Sequence, residues 1–206
     1  MKTIKNKKKK IEFVEDVPIK LDLACGDRKQ EGFLGVDVEK TDSTDYVFNL
    51  LEFPWPFKDN SVDELTTSHF IEHIPMAYWN DNNRLSILPE KGSVELFEKF
   101  FEECWRVLKP GGKFTIEAPY YSSMRCWQDP THRRAITDAT FLYFIKEWRE
   151  VNKLVHCHTK ANFAIVNSGY NVDMAIASRN EEYRAMAFKN YINSINDIKI
   201  TLQKVE

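Results

Sequence analysis

Small and acidic residues stand at the ends of two apolar segments near the start of the sequence. The first segment, residues 19–24, stops at Cys25 and Gly26, where the lack of bulky side chains lets the backbone approach a ligand closely. The second, residues 32–38, carries Asp37 near its end, and a carboxylate there can accept hydrogen bonds from both hydroxyls of a ribose. Because ligands bind at strand ends in an open parallel sheet, this pair indicates a site for an adenosine-containing cofactor.

The glycine spacing excludes the common phosphate-binding cofactors. A dinucleotide site would show GxGxxG after the first strand, with its ribose carboxylate about 20 residues further on. Here the segment reads GDRKQEG, and Asp37 follows Gly26 by 11 residues. The P-loop pattern, GxxxxGK followed by Ser or Thr, is absent as well. An adenosine cofactor without phosphates remains, and S-adenosylmethionine is the common one.

A histidine-rich motif follows the fourth apolar segment. The sequence HFIEH, residues 69–73, matches HxxEH, an inverted zinc-peptidase motif. That motif needs a continuous helix, whereas a predicted strand precedes it here and Pro75 follows at once, so a metal hydrolase is disfavoured. A divalent ion at Glu72 and His73 is an alternative, although magnesium prefers oxygen ligands. We predict no metal, and expect these two residues to cap and orient the turn.

The sequence QDPTHRR, residues 128–134, could form the acceptor side of a site. A neutral His132 can receive a proton while the guanidinium groups of Arg133 and Arg134 hold a carboxylate or phosphate. This pattern favours an anionic small molecule as the substrate. The alternative is that Asp129 pairs with an arginine and only pins the loop.

Two segments, residues 74–92 and 120–134, could shape an acceptor pocket. A group of aromatic residues could either wall that pocket or belong to the core, and the sequence favours neither interpretation. The group consists of Tyr120, Tyr121, Trp127, Tyr143, Phe144 and Trp148.

The elements that must position these residues form one α/β domain. Residues 45–50 and 62–68 are the third and fourth predicted strands, and four strands in about 50 residues leave little room for helices. Apolar residues at helical spacing then predict a helix over residues 97–108, capped by Ser93. A fifth strand follows over residues 114–118, which completes the strand, helix, strand unit of a parallel sheet.

The last third of the sequence continues this pattern. Apolar spacing predicts a helix over residues 141–148, with Thr137 as its cap. A strand-like stretch over residues 163–177, a helix over 181–193 and a last strand over 198–202 follow.

Composition and charge limit the partners. The 206 residues fit one domain, and no apolar segment approaches the roughly 20 residues of a membrane span. The net charge is −2, but six lysines lie in the first ten residues, so the rest of the chain carries a charge of about −8. Nucleic acid is therefore not favoured as a general partner. The basic tail is typical of a disordered end, with a tether to RNA or anionic lipid as the alternative. No secretory signal is present, so we expect a cytoplasmic protein with four free cysteines.

From about Pro18 onward, the sequence resembles the seven-stranded, class I S-adenosylmethionine-dependent methyltransferases, and in particular their small type 11 members. LDLACG, VD and NLLEFPWPFKDNSVDELTTSHFIEHIP resemble the family's cofactor motifs in their order, and WRVLKPGGKFTIEAPY resembles the helix and strand that follow. The resemblance implies a Rossmann-like open sheet of seven strands, mostly parallel with one antiparallel strand, and helices on both faces. The domain would span residues 13–206, after a disordered basic tail over residues 1–12.

The resemblance also implies roles for single residues. The turn after the first strand would lie near the methionine end of the cofactor, Asp37 at the ribose, Asn49 with Leu50 at the adenine, and His69 near the methyl group. The predicted cofactor-binding residues are Asp22, Ala24, Cys25, Gly26, Asp37, Asn49, Leu50 and His69. The predicted bases are His69 and His132, and the predicted substrate-binding residues are Tyr120, Arg133 and Arg134.

The implied function is methyl transfer to a small anionic acceptor. One alternative is a catalytically silent protein that binds the cofactor or a partner. Another is a metal-dependent O-methyltransferase acting on RNA or a small molecule, because some enzymes that this fold resembles bind magnesium with ExxEH. His69 stands here in place of their first glutamate, and Glu72 and His73 would be the remaining ligands. The acceptor atom and the oligomeric state are not indicated.

Overall fold

The computed structural model describes residues 17–80, 84–88, 93–157 and 159–206. The basic tail and the predicted domain boundary at residue 13 lie outside these residues. In chain order, the strands are β1 (Lys20–Leu23), β2 (Leu34–Asp37), β3 (Tyr46–Val47), β4 (Val62–Ser68), β5 (Tyr78–Trp79), β6 (Leu85–Ser86), β7 (Val94–Glu95), β8 (Leu108–Pro119), β9 (Phe163–Val172) and β10 (Ile195–Lys204). The α-helices are α1 (Leu96–Val107), α2 (Arg125–Gln128), α3 (Lys146–Val151), α4 (Met174–Ala177) and α5 (Glu181–Asn190), and the 3-10 helices are η1 (Ile71–His73) and η2 (Asp138–Phe144).

Seven of the strands form one sheet in the order β3-β2-β1-β4-β8-β10-β9. β10 runs antiparallel to both neighbours, and the other pairs are parallel. This confirms the Rossmann-like α/β sheet of seven strands with one antiparallel strand. The chain moves outward from β1 to β3 and then returns to place β4 on the other side of β1. The strand order therefore reverses between β1 and β4, where open sheets of this kind bind ligands.

One face of this sheet is mainly apolar, with the buried Thr67 as a polar residue on it. Side chains alternate between the two faces of a strand, so every second residue of the central strands points into the core. Fully or almost fully buried residues on this face are Leu21, Leu23, Leu65, Phe114, Ile116, Ala118, Ile198, Ile200 and Leu202. The opposite face carries polar side chains, and Lys199 and Glu117 on it are 61% and 32% exposed.

Aromatic residues join the helices to the apolar face. Phe101 of α1 lies 5.9 Å from Phe114 of β8 and stacks on Phe144 of η2, with ring centroids 4.0 Å apart. Burial of each such side chain stabilises the fold by roughly 1.5–3 kcal/mol. On the polar face, the short α2 contributes Arg125, whose guanidinium pairs with Asp197 of β10 at 2.7 Å.

The structure corrects several local predictions. α1 begins at Leu96 and is capped by Glu95, whose carboxylate accepts a hydrogen bond from the amide of Phe97 at 3.0 Å, so Ser93 is not its cap. The third strand is limited to two residues, and the stretch predicted as a strand over 163–177 ends at Val172. The predicted helix over 141–148 is η2 followed by α3, although Thr137 does cap η2.

A small second sheet lies in the segment that was expected to shape the acceptor pocket. Its strand order is β6-β5-β7, and β5 pairs antiparallel with both neighbours. The sequence did not predict it, because strands of two residues are too short to show an alternating pattern. The segments that connect β1 to β4, in contrast, are turns and bends, as the short spacing between strands predicted.

A close backbone approach fixes the loop after β2. A β-carbon on Gly35 would overlap the carbonyl oxygen of Ser43 and lie 2.7 Å from Sγ of Cys25. The amide of Gly35 donates a hydrogen bond to the carboxylate of Asp45 at 2.7 Å. Only glycine therefore allows the loop to fold back onto β2, directly beside the turn that follows β1.

We expect Gly35→Ala to lower the free energy of unfolding by about 1–3 kcal/mol, because the added methyl group must displace backbone. The matched control is Gly169→Ala in β9, where a β-carbon would meet no atom within 4 Å. That change should alter stability by less than about 0.5 kcal/mol. Denaturant unfolding followed by circular dichroism measures both, and equal effects of the two changes would contradict the packing described here.

Candidate functional site

Three neighbouring strand ends bring the predicted cofactor residues to one edge of the sheet. Leu23 of β1 pairs with Val36 of β2 on one side and with Thr67 of β4 on the other. The turn after β1 follows Leu23, Asp37 follows Val36, and His69 comes two residues after Thr67. They lie side by side because parallel strands end at the same edge of a sheet.

The turn after β1 is held to the end of β2. The amide of Gly26 donates a hydrogen bond to Oδ2 of Asp37 at 2.9 Å, and the amide of Cys25 donates to the carbonyl of Val36 at 3.2 Å. Ala24 and Gly26 both have a φ of 57°, in the left-handed region that favours glycine. The two hydrogen bonds therefore stabilise a turn conformation that Ala24 would otherwise rarely adopt.

Asp22 lies beneath this turn and supports it. Its side chain is largely buried, and its Oδ2 accepts a hydrogen bond from the amide of Gln30 at 2.7 Å. Burial raises the pKa of Asp22 above its usual value, because the charged form loses solvation. The carboxylate thus ties the far end of the turn segment to β1.

Asn49 and Leu50 follow β3 further along the same edge. Oδ1 of Asn49 accepts a hydrogen bond from the amide of Leu51 at 2.9 Å, which fixes the orientation of the side-chain amide. Leu50 is buried in the core, and its carbonyl accepts a hydrogen bond from the indole of Trp55 at 2.9 Å. Both residues are held in place by contacts within the protein.

His69 stands directly after β4 in a constrained backbone conformation. Its φ is 52°, and its amide donates a hydrogen bond to the carbonyl of Glu117 at 2.9 Å. The ring is 43% exposed, and its Nδ1 lies 3.4 Å from Oε1 of Glu72. The Glu72 carboxylate is the main cause of a raised pKa at His69, which burial of the ring partly opposes. The geometry thus gives an accessible imidazole with increased basicity.

His132 reaches the other side of the same carboxylate. Its side chain is only 7% exposed, and its Nε2 lies 4.0 Å from Oε1 of Glu72. Its Nδ1 lies 2.8 Å from the carbonyl of Cys126. The structure therefore gathers both predicted bases around Glu72, to which the sequence assigned a role in the turn, with a divalent-ion site as the alternative. The HxxEH motif was the sequence signal for this group, but of the two predicted bases it contains only His69, whereas His132 lies outside it.

The two predicted arginines lie in different surroundings. Arg133 is exposed, and its amide donates a hydrogen bond to the carbonyl of Glu72 at 2.7 Å. The guanidinium of Arg134 instead pairs with Glu95 at 2.8 Å and lies 4.1 Å above the ring of Phe97. Arg134 thus joins the loop to the start of α1. Arg133 is exposed, and its Nη1 donates a hydrogen bond to the carbonyl of Pro130 in the same loop at 3.0 Å.

The loop is not pinned in the way that the alternative interpretation expected. Oδ1 of Asp129 accepts hydrogen bonds from the amide and the hydroxyl of Thr131, both at 2.7 Å. These contacts close a tight turn immediately before His132. The ion pair that holds the loop involves Arg134 and Glu95 instead.

Tyr120 is part of a hydrogen-bonded group with Asp138 and Tyr170. Its hydroxyl donates to Oδ2 of Asp138 at 2.9 Å, and the hydroxyl of Tyr170 donates to Oδ1 of the same carboxylate at 2.7 Å. Burial is the first cause of a raised pKa at Tyr120, so its phenol stays neutral. The contact with Asp138 limits what the hydroxyl can offer a substrate.

The predicted aromatic group does not form a single wall. Phe144 belongs to the core, where it stacks on Phe101. Tyr143 packs on Trp148 with centroids 5.0 Å apart, and Trp127 is 64% exposed. Phe144 is therefore a core residue, whereas Trp127 lies at the surface.

A cavity opens at the polar face next to His69. Its volume is about 350 Å³, and Glu117, Asp197 and Lys199 are among the residues that line it. A larger cavity of about 780 Å³ lies beside α3 and includes Lys146 and Cys157. The smaller cavity adjoins the end of β4, because the carbonyl of Glu117, which lines it, accepts the hydrogen bond from the amide of His69.

The comparisons with known proteins agree with this geometry. Residues 36–116 match a family model described as a methyltransferase domain, whereas no curated protein is similar enough in sequence to match. Among solved structures, a SAM-dependent methyltransferase from Archaeoglobus fulgidus superposes with a TM-score of 0.55 at 16% identity, covering 92% of this chain and 87% of that one. The 1,6-didemethyltoxoflavin-N1-methyltransferase of Burkholderia thailandensis, solved with 1,6-didemethyltoxoflavin and S-adenosylhomocysteine, gives 0.51 at 13% identity, over 92% and 72%. At these identities the two structures support the fold.

None of the helices in the described ranges combines the length and apolar character that crossing a bilayer requires.

We expect Asp37→Ala to weaken binding of S-adenosylmethionine and S-adenosylhomocysteine about 10-fold to 100-fold, because charge-assisted hydrogen bonds contribute about 1.5–3 kcal/mol. Asp37→Asn keeps an acceptor for the amide of Gly26 and should lose less. The control is Asp42→Ala, an exposed carboxylate in the adjacent loop. Calorimetric titration measures the affinities, and an Asp37→Ala protein that binds within twofold of wild type would refute the ribose assignment.

Proposed function

We propose that residues 13–206 form a class I S-adenosylmethionine-dependent methyltransferase domain, of which residues 36–116 match the family model, and that this domain transfers a methyl group to a small acceptor that carries an anionic group. S-adenosylmethionine is the cofactor. The observation that supports the proposal best is the convergence of the turn after β1, Asp37 and the exposed ring of His69 at one edge of the sheet.

The cofactor is proposed to lie along the ends of β3, β2, β1 and β4. Asp37 would accept hydrogen bonds from the ribose hydroxyls, and Asn49 with Leu50 would face the adenine. Ala24, Cys25 and Gly26 would form the turn against the methionine end, with Asp22 supporting it from below. The hydrogen bond between Gly26 and Asp37 supports this arrangement, because it already fixes the turn relative to the ribose-binding carboxylate.

His69 is the proposed base. In methyl transfer, the acceptor atom forms a bond to the methyl carbon while the bond from that carbon to sulfur breaks, and S-adenosylhomocysteine leaves. The sulfonium is already activated, so the protein has to align the reactants and remove the acceptor proton. His69 is accessible and its pKa is raised, whereas His132 is almost fully buried. We therefore assign proton removal to His69 and support of the site to His132.

An anionic group on the acceptor fits the chemistry of the loop over residues 128–134. Arg133 is exposed next to η1, and its planar guanidinium can bind a carboxylate or phosphate with two parallel hydrogen bonds. Arg134 would hold the loop in place through Glu95. Tyr120 would contribute its ring rather than its hydroxyl, which is bonded to Asp138.

The test is incubation of the purified chain with methyl-labelled cofactor and a metabolite extract. We expect a labelled small-molecule product that is retained on an anion-exchange resin. Binding of the cofactor without any labelled product would favour a catalytically silent cofactor-binding protein. A labelled product that passes through the resin would contradict the anionic acceptor.

Once a product is identified, two variants separate the roles of the proposed residues. His69→Ala should lower kcat at least 100-fold, with a much smaller effect on cofactor affinity, because a positioned base contributes about 10²–10⁴-fold. Arg133→Ala should raise KM about tenfold with a smaller effect on kcat, because it removes an interaction made with the bound substrate. His156→Ala, which replaces an exposed histidine elsewhere, is the matched control. An unchanged kcat in His69→Ala would refute its role as base.

A further inference from the structure

Glu72 carries a buried carboxylate that no group in the described residues fully compensates. The residue is 1% exposed, and neither side-chain oxygen has a hydrogen-bond partner within the described residues. The nearest charged groups would be the rings of His69 at 3.4 Å and His132 at 4.0 Å, if either were protonated. A buried charge without hydrogen bonds is strongly unfavourable unless a cation pairs with it.

Two imidazoles lie close enough to complete a ligand set with this carboxylate. Glu72, His73 and His132 each offer one ligand atom, and the three atoms lie within 4.8 Å of one another. The rings of His73 and His132 meet edge to face, with centroids 4.6 Å apart. Small rotations of these side chains would bring all three atoms to bonding distance of one ion.

The second contacts of both histidines favour the tautomer that a metal ligand needs. Nδ1 of His132 lies 2.8 Å from the carbonyl of Cys126. Because a carbonyl oxygen can only accept a hydrogen bond, Nδ1 carries the proton and Nε2 has the lone pair. Nδ1 of His73 lies 2.9 Å from the hydroxyl of Thr131, which itself donates to Asp129. That hydroxyl therefore accepts from His73, and its Nε2 is also left unprotonated.

The backbone holds the three residues together. η1 places Glu72 and His73 next to each other directly after β4 and His69. The amide of Arg133 donates a hydrogen bond to the carbonyl of Glu72 at 2.7 Å, and this contact brings the loop that carries His132 against η1. This contact and the one between His73 and Thr131 join segments that are about 60 residues apart in the sequence.

We propose that Glu72, His73 and His132 bind one divalent transition-metal ion of the zinc type. Two histidines with one carboxylate are typical of zinc sites that keep a coordination position open, whereas magnesium takes oxygen ligands. The open position would let the ion polarise an oxygen atom of a bound molecule. This reverses the prediction of no metal, which rested on His69 standing in place of a glutamate and on the preference of magnesium for oxygen ligands.

Cobalt(II) is the probe for this site, because its visible absorption reports coordination directly. The full chain is treated with EDTA, desalted and titrated with cobalt. We expect one equivalent to bind with new visible bands, zinc to displace it, and a hundredfold excess of magnesium to leave it bound. Zinc should also raise the melting temperature of wild type but not that of Glu72→Gln.

The variants identify the ligands. Glu72→Gln and His73→Ala should each weaken cobalt binding at least tenfold. The first variant conserves side-chain volume, and the second changes a half-buried residue. Two variants are used in case one of them fails to fold. His156→Ala should bind like wild type. The proposal is overturned if no saturable binding occurs, if both ligand variants bind within twofold of wild type, or if magnesium displaces the ion. It is also overturned if Asp197→Asn abolishes binding that Glu72→Gln retains, because the ion would then lie between His69, Glu117 and Asp197.

This test uses neither cofactor nor acceptor. A negative result would therefore leave the proposed methyl transfer standing, and an inactive enzyme would leave the metal site standing.

Discussion

The parallel pairing of β1 with both β2 and β4 is the constraint on which the candidate site depends. Leu21 and Leu23 are fully buried between these neighbours, and their burial fixes the register of all three strands. Because the chain leaves β1 in one direction and returns on its other side, the three carboxyl ends meet at one edge. The turn after β1, Asp37 and His69 are therefore neighbours although they are spread over more than 40 residues.

The polar residues at this edge divide into those that build the site and those that remain accessible in it. Asp22 and Arg134 are engaged with protein groups, the first with the amide of Gln30 and the second with Glu95. His69 and Arg133 are both exposed, although one nitrogen of the Arg133 guanidinium donates to the carbonyl of Pro130. Residue type alone makes a chemical role plausible for all four residues. The geometry leaves His69 and Arg133 as the two whose side chains are accessible.

Much of the fold could be predicted from the sequence because its signals are local. The β4 strand matched its predicted limits, and α1 was found within one residue of either end from the helical spacing of its apolar residues. The Ser93 cap was wrong because Glu95, nearer the helix, has a side chain long enough to reach the amide of Phe97. The β5 to β7 sheet was missed because its strands are too short to show a period.

The candidate site was predictable only where strand ends define it. Asp37 and the turn after β1 follow from apolar segments that can be read directly. The gathering of His69, Glu72 and His132 could not be predicted, since it depends on the hydrogen bond from the amide of Arg133 to the carbonyl of Glu72. Contacts of this kind, between a loop and a turn far apart in the sequence, leave no periodic signal.

The central claim is that S-adenosylmethionine binds across the ends of β2, β1 and β4, and a crystal structure with S-adenosylhomocysteine tests it most directly. We expect the ribose hydroxyls to contact the carboxylate of Asp37. The amino-acid end of the ligand should lie against the turn formed by Ala24 and Gly26, and its sulfur on the side of His69. Density for the ligand beside α3, in the larger cavity, or at the strand ends without a contact to Asp37, would contradict it.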